Sequence, residues 1–407
     1  MAEFDVATAR AQFPALTRLV AGRPAVYADG PGGTQVARPV IDAMAGFMMR
    51  GGSNLGGPFA TSVETAEIVA GARSAMADLF GAASPDEIVF GQNMTSLTLS
   101  LGRALARTWV DGDEIVVTRL DHDANVSSWM QAASEAGALV RHVDFDPATG
   151  TLDPAAFDSV LSARTRLVAV THASNAIGTV VDVAAVVERA HEAGALVFVD
   201  AVHYTPHGPV DVGATDCDFL AASAYKFFGP HTGVLYGKRD LLATLDAVKI
   251  RPAPSDPPGK WENGTQSFES LAGVAAAVDY LVQFGEGASR RQRLVAAMET
   301  TRAYETGLSR RFLAGVAGLD HVRVYGIPGS AGRTPTFAVD VAGVPPAEVA
   351  RRLGAQGIFV WHGHYYALEV MAHFGVLDKG GLVRIGFVHY NTLDEVDRVV
   401  GALAELG

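Results

Sequence analysis

Asp200 and Lys226 are the residues on which chemistry would turn. Asp200 closes the apolar run Leu196–Val199, which reads as a buried strand, and Lys226 follows 26 positions later, after Ala221-Ala222-Ser223-Ala224-Tyr225. A carboxylate at a strand end and a lysine a short way on are what pyridoxal phosphate chemistry needs. The lysine would hold the cofactor aldehyde as a Schiff base. The carboxylate would keep the pyridine nitrogen protonated, so that the ring accepts electrons from a substrate carbanion. Ser223 and Tyr225 are hydroxyls beside that lysine and suit a phosphate. Taken alone, such a pair is as well explained by a loop acid and a solvated surface lysine. The neighbouring elements decide between the two.

From about residue 87 to residue 200, strand-like and helix-like segments alternate at βαβ spacing. The pattern predicts a mostly parallel sheet with helices on both faces, and in such sheets ligands sit outside the carboxyl ends of the strands. The strand Glu87–Phe90 turns through Gly91-Gln92-Asn93-Met94-Thr95-Ser96 into an apolar helix, Leu97–Ala106. A helix N-terminus there makes an anion site of free N–H groups, with Thr95 and Ser96 as side-chain donors. Equally, Thr95 or Ser96 would cap the helix. The strand Glu114–Thr118 ends in Leu120-Asp121-His122, where the His122 ring either lies flat on a cofactor or is a hydrogen-bonded loop histidine. The strand Arg166–Thr171 leads to Asn175. Thr95, His122, Asn175 and Asp200 thus fall at four separate strand ends.

Earlier in the chain, Val26-Tyr27-Ala28 reads as a brief strand ending in Asp29. The Gly30-Pro31-Gly32-Gly33 turn that follows lacks the lysine of a nucleotide phosphate loop. A helix, Val63–Phe80, follows a second glycine-rich loop. Beyond a long helix, Ala288–Leu313, the rhythm changes. Strands are predicted at Val322–Tyr325, Thr336–Asp340, Ile358–Trp361 and Leu382–Ile385, and helices at Pro346–Gln356, Tyr366–Phe374 and Leu393–Leu406. The expected organisation is an N-terminal arm (residues 1–25), a large cofactor-binding domain (26–285) and a smaller α+β C-terminal domain (286–407).

Composition excludes several classes. The 407 residues are 49% hydrophobic and 19% charged, the balance of a folded enzyme rather than a disordered chain. A net charge of −12 argues against nucleic acid and against a membrane surface as partners. The single cysteine, Cys217, allows no internal disulfide. The first residues carry no basic and apolar leader, and no apolar run reaches the length of a membrane helix, so a cytoplasmic protein is expected.

The ordered motifs YADGPGG, GQNMTS, LDHDAN, THASNAIGT, VDAVHY, ASAYKFFGP, ENGTQSFES, RTPTF and RIGFVHYNT resemble those of the class V, fold-type I pyridoxal phosphate enzymes, most closely the cysteine desulfurase-like branch. The resemblance runs from about Tyr27 to the C-terminus. It implies an α/β fold with a mostly parallel central sheet and a smaller C-terminal domain. It implies Lys226 as the Schiff-base lysine, Asp200 as the pyridinium partner and His122 as the residue stacked on the ring. Thr95, Ser223 and Tyr225 would hold the phosphate, although desulfurases usually carry histidine where Tyr225 stands. Asn175 and His203 would face the phenolic oxygen, with His203 replacing a common glutamine. Thr265 matches the threonine that reaches the phosphate of a neighbouring subunit, which implies a homodimer with shared active sites. Arg384 matches the arginine that clamps a substrate α-carboxylate, a task suited to a bidentate guanidinium.

One departure stands out. Desulfurases use a cysteine thiolate on a C-terminal loop to take sulfur from substrate cysteine. The matching segment here is Trp361-His362-Gly363-His364-Tyr365-Tyr366-Ala367, with Tyr366 at the thiol position and Trp361 where an arginine is often found. His364 and Tyr366 would meet substrate instead, as a general acid or as positioning groups. Two histidines two apart, with no third ligand, do not predict a metal site. Cys217 reads as a small core residue. The expected function is therefore a pyridoxal phosphate enzyme acting on an amino acid or a close derivative, first as a C–S (β-elimination) lyase without a persulfide cysteine. Aminotransfer and epimerisation share its early steps. The reading of another class is a non-catalytic subunit with this fold that binds a partner, against which the presence of Lys226, Asp200 and Arg384 argues.

Overall fold

The computed structural model describes residues 4–407. Seven strands form the main sheet, in the spatial order Ile88–Gly91, Gly233–Gly237, Phe219–Ser223, Leu196–Asp200, Thr165–Thr171, Glu114–Thr118 and Leu139–Val143. Only Gly233–Gly237 runs against both of its neighbours, so the other six point the same way. Their carboxyl ends therefore lie along one edge. The fold is the expected α/β type, with a mostly parallel sheet.

The sheet is covered on both faces because its strands are apolar on both. Side chains alternate across a strand. Val116, Val168, Val170, Val197, Val199 and Leu220 join one core cluster, which takes in the helices Ala60–Phe80 and Phe268–Val282. Ile115, Val117, Leu167, Ala169, Phe198 and Phe219 join a second, with the helices Met94–Ala106 and Ser127–Ala136. Each fully buried Val, Leu or Phe stabilises the fold by roughly 1.5–3 kcal/mol relative to an exposed one. Two helices begin earlier than the sequence predicts. Ala60–Phe80 gains a turn before Val63, and Met94–Ala106 starts at the Asn93 cap, whose side chain accepts from Ser96 N at 2.9 Å.

A second, antiparallel sheet has the order Val322–Tyr325, Thr336–Val341, Leu382–Gly386, Trp361–Gly363. The helices Arg290–Val316 and Leu393–Ala404 cover it through Phe312, Val316, Val396 and Leu403, packed on Phe337, Val339, Val383 and Ile385. The strand expected at Ile358–Trp361 is divided in two. Ile358–Phe359 pairs with Val26–Tyr27, and Trp361–Gly363 pairs with Leu382–Arg384. Val26 and Ala28 are thereby buried in the core of this second sheet, and Asp29 bridges Gly386. The helix expected from Tyr366 starts at Leu368, because Tyr365 (φ 42°) and Tyr366 (φ 58°) are left-handed and cannot continue a right-handed turn. No helix among the described residues is long and apolar enough to cross a membrane.

Candidate active site

A cavity of about 600 Å³ opens at the carboxyl edge of the main sheet. Each bordering strand end contributes. Asn93, Met94 and Thr95 come from the turn after Ile88–Gly91, His122 from the turn after Glu114–Thr118, and Asn175 from the loop after Thr165–Thr171. Asp200 and His203 follow Leu196–Asp200, and Ser223, Tyr225 and Lys226 follow Phe219–Ser223. The second sheet closes the other side with Trp361, Tyr365, Tyr366 and Arg384, and the N-terminal turn brings Pro31 and Gly32. The turn touches Trp361 so closely that a Cβ on Gly32 would sit 2.4 Å from the indole nitrogen. Ten of the thirteen residues predicted for the site line this one cavity: Thr95, His122, Asn175, Asp200, His203, Ser223, Tyr225, Lys226, Tyr366 and Arg384.

Three do not. Ser96 is committed to the helix cap: its hydroxyl donates to Asn93 O at 3.0 Å and accepts from Asn93 N. The capping alternative therefore describes Ser96, while Thr95 on the same turn faces the cavity. His364 is exposed and outside the cavity lining; its Nδ1 accepts from Tyr366 N at 3.1 Å. Thr265 is exposed beside Phe47, Ser53 and Phe268, away from this chain's own cavity.

Burial sets the charges of the site. Lys226 is pushed down to about 7, first by desolvation and then by Arg384, with Asp200 and Asp29 pulling it back up. Its Nζ donates to the Pro31 carbonyl. Desolvation raises Asp200 to about 6, against a hydrogen bond from Val202 N at 2.9 Å and the field of Lys226. His122 falls to about 4, through burial and the neighbouring Lys226 and Arg384, so its ring is neutral. His122 Nδ1 accepts from Ala124 N at 3.0 Å, which leaves the ring proton on Nε2. Arg384 is lowered to about 10 by burial and keeps its charge at neutral pH. Its guanidinium lies 4.7 Å above the Tyr365 ring and donates to Asn175 O at 3.0 Å.

The loop carrying Tyr365 and Tyr366 is held in place by bonds to its backbone. Asp123 N donates to Tyr366 O at 2.6 Å, and Asn175 Nδ2 to Tyr365 O at 3.0 Å. Two left-handed non-glycine residues in a row cost of order 1–3 kcal/mol each and persist only where surroundings impose them.

The residues fit pyridoxal phosphate. Ser223 Oγ accepts from Met94 N at 3.1 Å, so its own proton is free for a phosphate oxygen at the N-terminus of Met94–Ala106. Asp200 is a buried carboxyl raised by desolvation, which Lys226 only partly offsets, and suits a pyridinium nitrogen as counterpart. Asn175 Oδ1 and Arg384 Nε are buried with no partner among the described residues, as groups kept for a ligand would be.

Residues beside the cavity that act on its lining were not predicted. Asp29 has a buried oxygen without a partner and is raised to about 6 by desolvation, with Arg384 and Lys226 opposing. Its signal was its place at the end of Val26–Ala28. Asp121 lies fully buried below the edge and is raised to about 8, mainly by burial; Thr118 and Asn125 donate to it. Thr334 and Thr336 reach His203 from the other sheet, a contact that no local pattern announces. Among the described residues no group of three or more His, Cys, Asp or Glu side chains could hold a metal ion.

Comparison with known proteins agrees with this geometry. The aminotransferase class-V family model matches residues 26–399. A cysteine desulfurase of Enterobacter sp. (strain 638) is 32% identical over 421 residues, covering 99% of this chain and 98% of that protein. An uncharacterized protein of Mycobacterium tuberculosis (strain CDC 1551 / Oshkosh) is 33% identical over 408 residues, covering 99% of this chain and all of that one. The apo structure of a cysteine desulfurase from Thermococcus onnurineus NA1 superposes with a TM-score of 0.90 at 28% identity, covering 100% of this chain and 99% of that one. The chain belongs to the class-V aminotransferase family and is a pyridoxal phosphate-dependent enzyme of its cysteine desulfurase-like branch.

Proposed function

We propose that the protein is a C–S lyase that acts on cysteine or an S-substituted cysteine and releases the sulfur product directly, without a protein persulfide. The observation that supports this reading is that Tyr366, the residue the motif resemblance sets at the desulfurase thiol position, lines the cavity wall. The chain's one cysteine, Cys217, is fully buried in the core, and its thiol is pushed up to about 12 by that burial. A thiol so held is neither ionised nor within reach of a substrate.

Pyridoxal phosphate, when bound, supplies an electron sink for the charge left at the substrate α-carbon. The residues of the chain supply the rest. Arg384 holds the α-carboxylate. Lys226, poised near neutrality, takes the proton from Cα. Asp200 would hold its negative charge against the ring nitrogen, and His122 would cover a ring face. The Cβ–S bond then breaks with its electron pair on sulfur, and Tyr366 offers the proton that sulfur needs. One water then hydrolyses the released three-carbon enamine, giving pyruvate and ammonium.

The same proposal includes a homodimer. Thr265 is exposed away from its own cavity, next to Phe47, Met48 and Phe268, and the chain segment that includes Met48 also exposes Met49, Leu55 and Phe59. A second copy covering that surface would carry Thr265 to the partner's phosphate. The arm, large domain and small domain of the sequence reading go with this assembly, each sheet being the heart of one domain.

The test is to incubate the loaded enzyme with cysteine and S-alkyl cysteines, and to measure pyruvate, ammonium and released thiol or sulfide together. Equal amounts of pyruvate and thiol support the lyase. Alanine with persulfide on the protein would identify a desulfurase, and a keto acid with amino-form cofactor an aminotransferase. Racemised substrate alone would identify an epimerase.

A further inference from the structure

His203 lines the cavity from the main sheet, yet its ring is held from the other sheet. Its Nε2 lies 3.0 Å from Thr336 Oγ1 and 3.1 Å from Thr334 Oγ1. Both threonines are buried, Thr336 completely. They belong to the strap Arg333–Thr336, which is docked on the loop carrying Asn175. Thr334 N donates to Gly178 O at 2.8 Å, and Arg333 donates to the carbonyls of Ile177 and Thr336. The docking is tight: a Cβ on Gly178, at φ +78°, would lie 2.7 Å from Thr336 O. The His203 ring therefore has little freedom to turn.

Its protonation is equally constrained. Burial, together with His207, Lys226 and Arg384, drives the imidazole well below its ordinary range. His207 packs edge-on at 5.1 Å between centroids and is itself paired with Glu305 at 2.7 Å. A neutral ring has one nitrogen with a proton and one without. The Thr334 hydroxyl has a second acceptor, Gly178 O at 3.3 Å. The Thr336 hydroxyl has none but His203 Nε2. Were Nε2 protonated, the completely buried Thr336 hydroxyl would be left with nothing to donate to, which is the costlier arrangement.

We infer that Thr336 is a positioning residue: by donating to His203 Nε2 it holds His203 in the tautomer that carries its proton on Nδ1, the nitrogen that bonds to none of the described residues. Nδ1–H is then a donor for an anionic oxygen in the cavity, and the phenolic oxygen of pyridoxal phosphate has that chemistry. This rests on the role given to His203 beside that oxygen. A glutamine at this place donates through its amide with no help. A histidine needs its tautomer chosen, and Thr336 chooses it.

The first measurement needs no cofactor. Histidine is labelled with ¹⁵N in the full-length protein, His203 is assigned by its loss in His203→Gln, and its two nitrogen shifts are read. A protonated Nδ1 with a bare Nε2 is expected; a protonated Nε2 overturns the inference. The second is retention of pyridoxal phosphate on dilution. Thr336→Val is expected to weaken it by about tenfold, the scale of one misdirected hydrogen bond, and Thr336→Ser to restore it. In a His203→Gln background Thr336→Val is expected to do nothing. No loss in the native background, or the same loss in the His203→Gln background, overturns the inference. If native protein takes up no pyridoxal phosphate, it is the cofactor role of His203 that fails, and the nitrogen shifts still decide the tautomer.

Discussion

The Tyr366 ring stacks on the His122 imidazole, with centroids 5.5 Å apart and planes 22° from parallel. Tyr366 is nevertheless 67% exposed, so the stack sits at the mouth of the cavity and not in its floor. It couples the loop of the second sheet to the ring expected to cover the cofactor. Replacing Tyr366 by Cys places a thiol at that mouth. With cysteine as substrate, Tyr366→Cys is expected to gain a persulfide on the protein, detected as a 32 Da adduct by mass spectrometry (about one sulfur atom,), while pyruvate release falls. Absence of the adduct, with pyruvate unchanged, would count against the role given to this position.

Lys226 predicts a pH dependence for cofactor uptake. Only the neutral amine condenses with an aldehyde, and burial brings the amine from 10.5 down to about 7. The rate at which cofactor-free protein takes up pyridoxal phosphate should rise as pH increases to about 7 and then level off. Stopped-flow absorbance measures it. A rate that keeps climbing toward pH 10 would mean an ordinary lysine. Lys226→Ala is expected to abolish the covalent visible band and to cut turnover by at least about a thousandfold.

Asp200 predicts a trade between stability and cofactor. Its carboxyl rises from 3.8 to about 6 on folding. A raised folded value means that its favourable contribution is complete below about pH 4 and is lost as pH rises through 6. Above that, the ionised carboxylate costs the cofactor-free fold about 2–3 kcal/mol. Asp200→Asn should therefore raise the melting temperature of cofactor-free protein at pH ~8 while abolishing turnover. Thermal unfolding with and without pyridoxal phosphate checks both signs. A variant less stable than the parent at that pH would contradict the argument.

Arg384 predicts a split in the kinetic constants. Its guanidinium is engaged by the protein through Asn175 O and the Tyr365 ring, and Nε is free. Arg384→Lys removes the bidentate fork but keeps the charge. KM for cysteine should rise by about tenfold or more, with a smaller change in kcat. Cysteamine, which lacks the carboxylate, should not distinguish the two proteins.

The segment before Thr265 predicts a structural effect. Glu262 receives both Arg73 guanidinium nitrogens, at 2.5 and 2.7 Å, and the Phe90 N–H at 2.8 Å, and its side chain is 8% exposed. Glu262→Ala leaves the half-buried Arg73 without its counter-charge and with only Ile88 O to donate to, a loss of up to roughly 3 kcal/mol. Urea unfolding measures it. If the proposed homodimer forms, sedimentation of the same variant should show it weakened, since the segment bearing Thr265 loses its anchor.

Much of this protein was determined by local sequence. The alternation of apolar strands with helices from Ile88 to Asp200 sets side chains on both faces of each strand, and that alone requires a sheet covered on both sides. Because parallel strands all end at one edge, Thr95, His122, Asn175, Asp200 and Lys226 had to meet there. The missing thiol was equally legible, since a residue type at a motif position needs no coordinates. Tertiary structure alone decided the rest. Whether Thr95 or Ser96 faces the cavity depends on which hydroxyl the helix cap consumes. Asp29 comes near Arg384 and Lys226 because Val26–Tyr27 pairs with Ile358–Phe359, far away in the chain. Thr336 reaches His203 over 133 positions. Lys226 near 7 and Asp200 near 6 are products of desolvation, which exists only once the chain has closed around them.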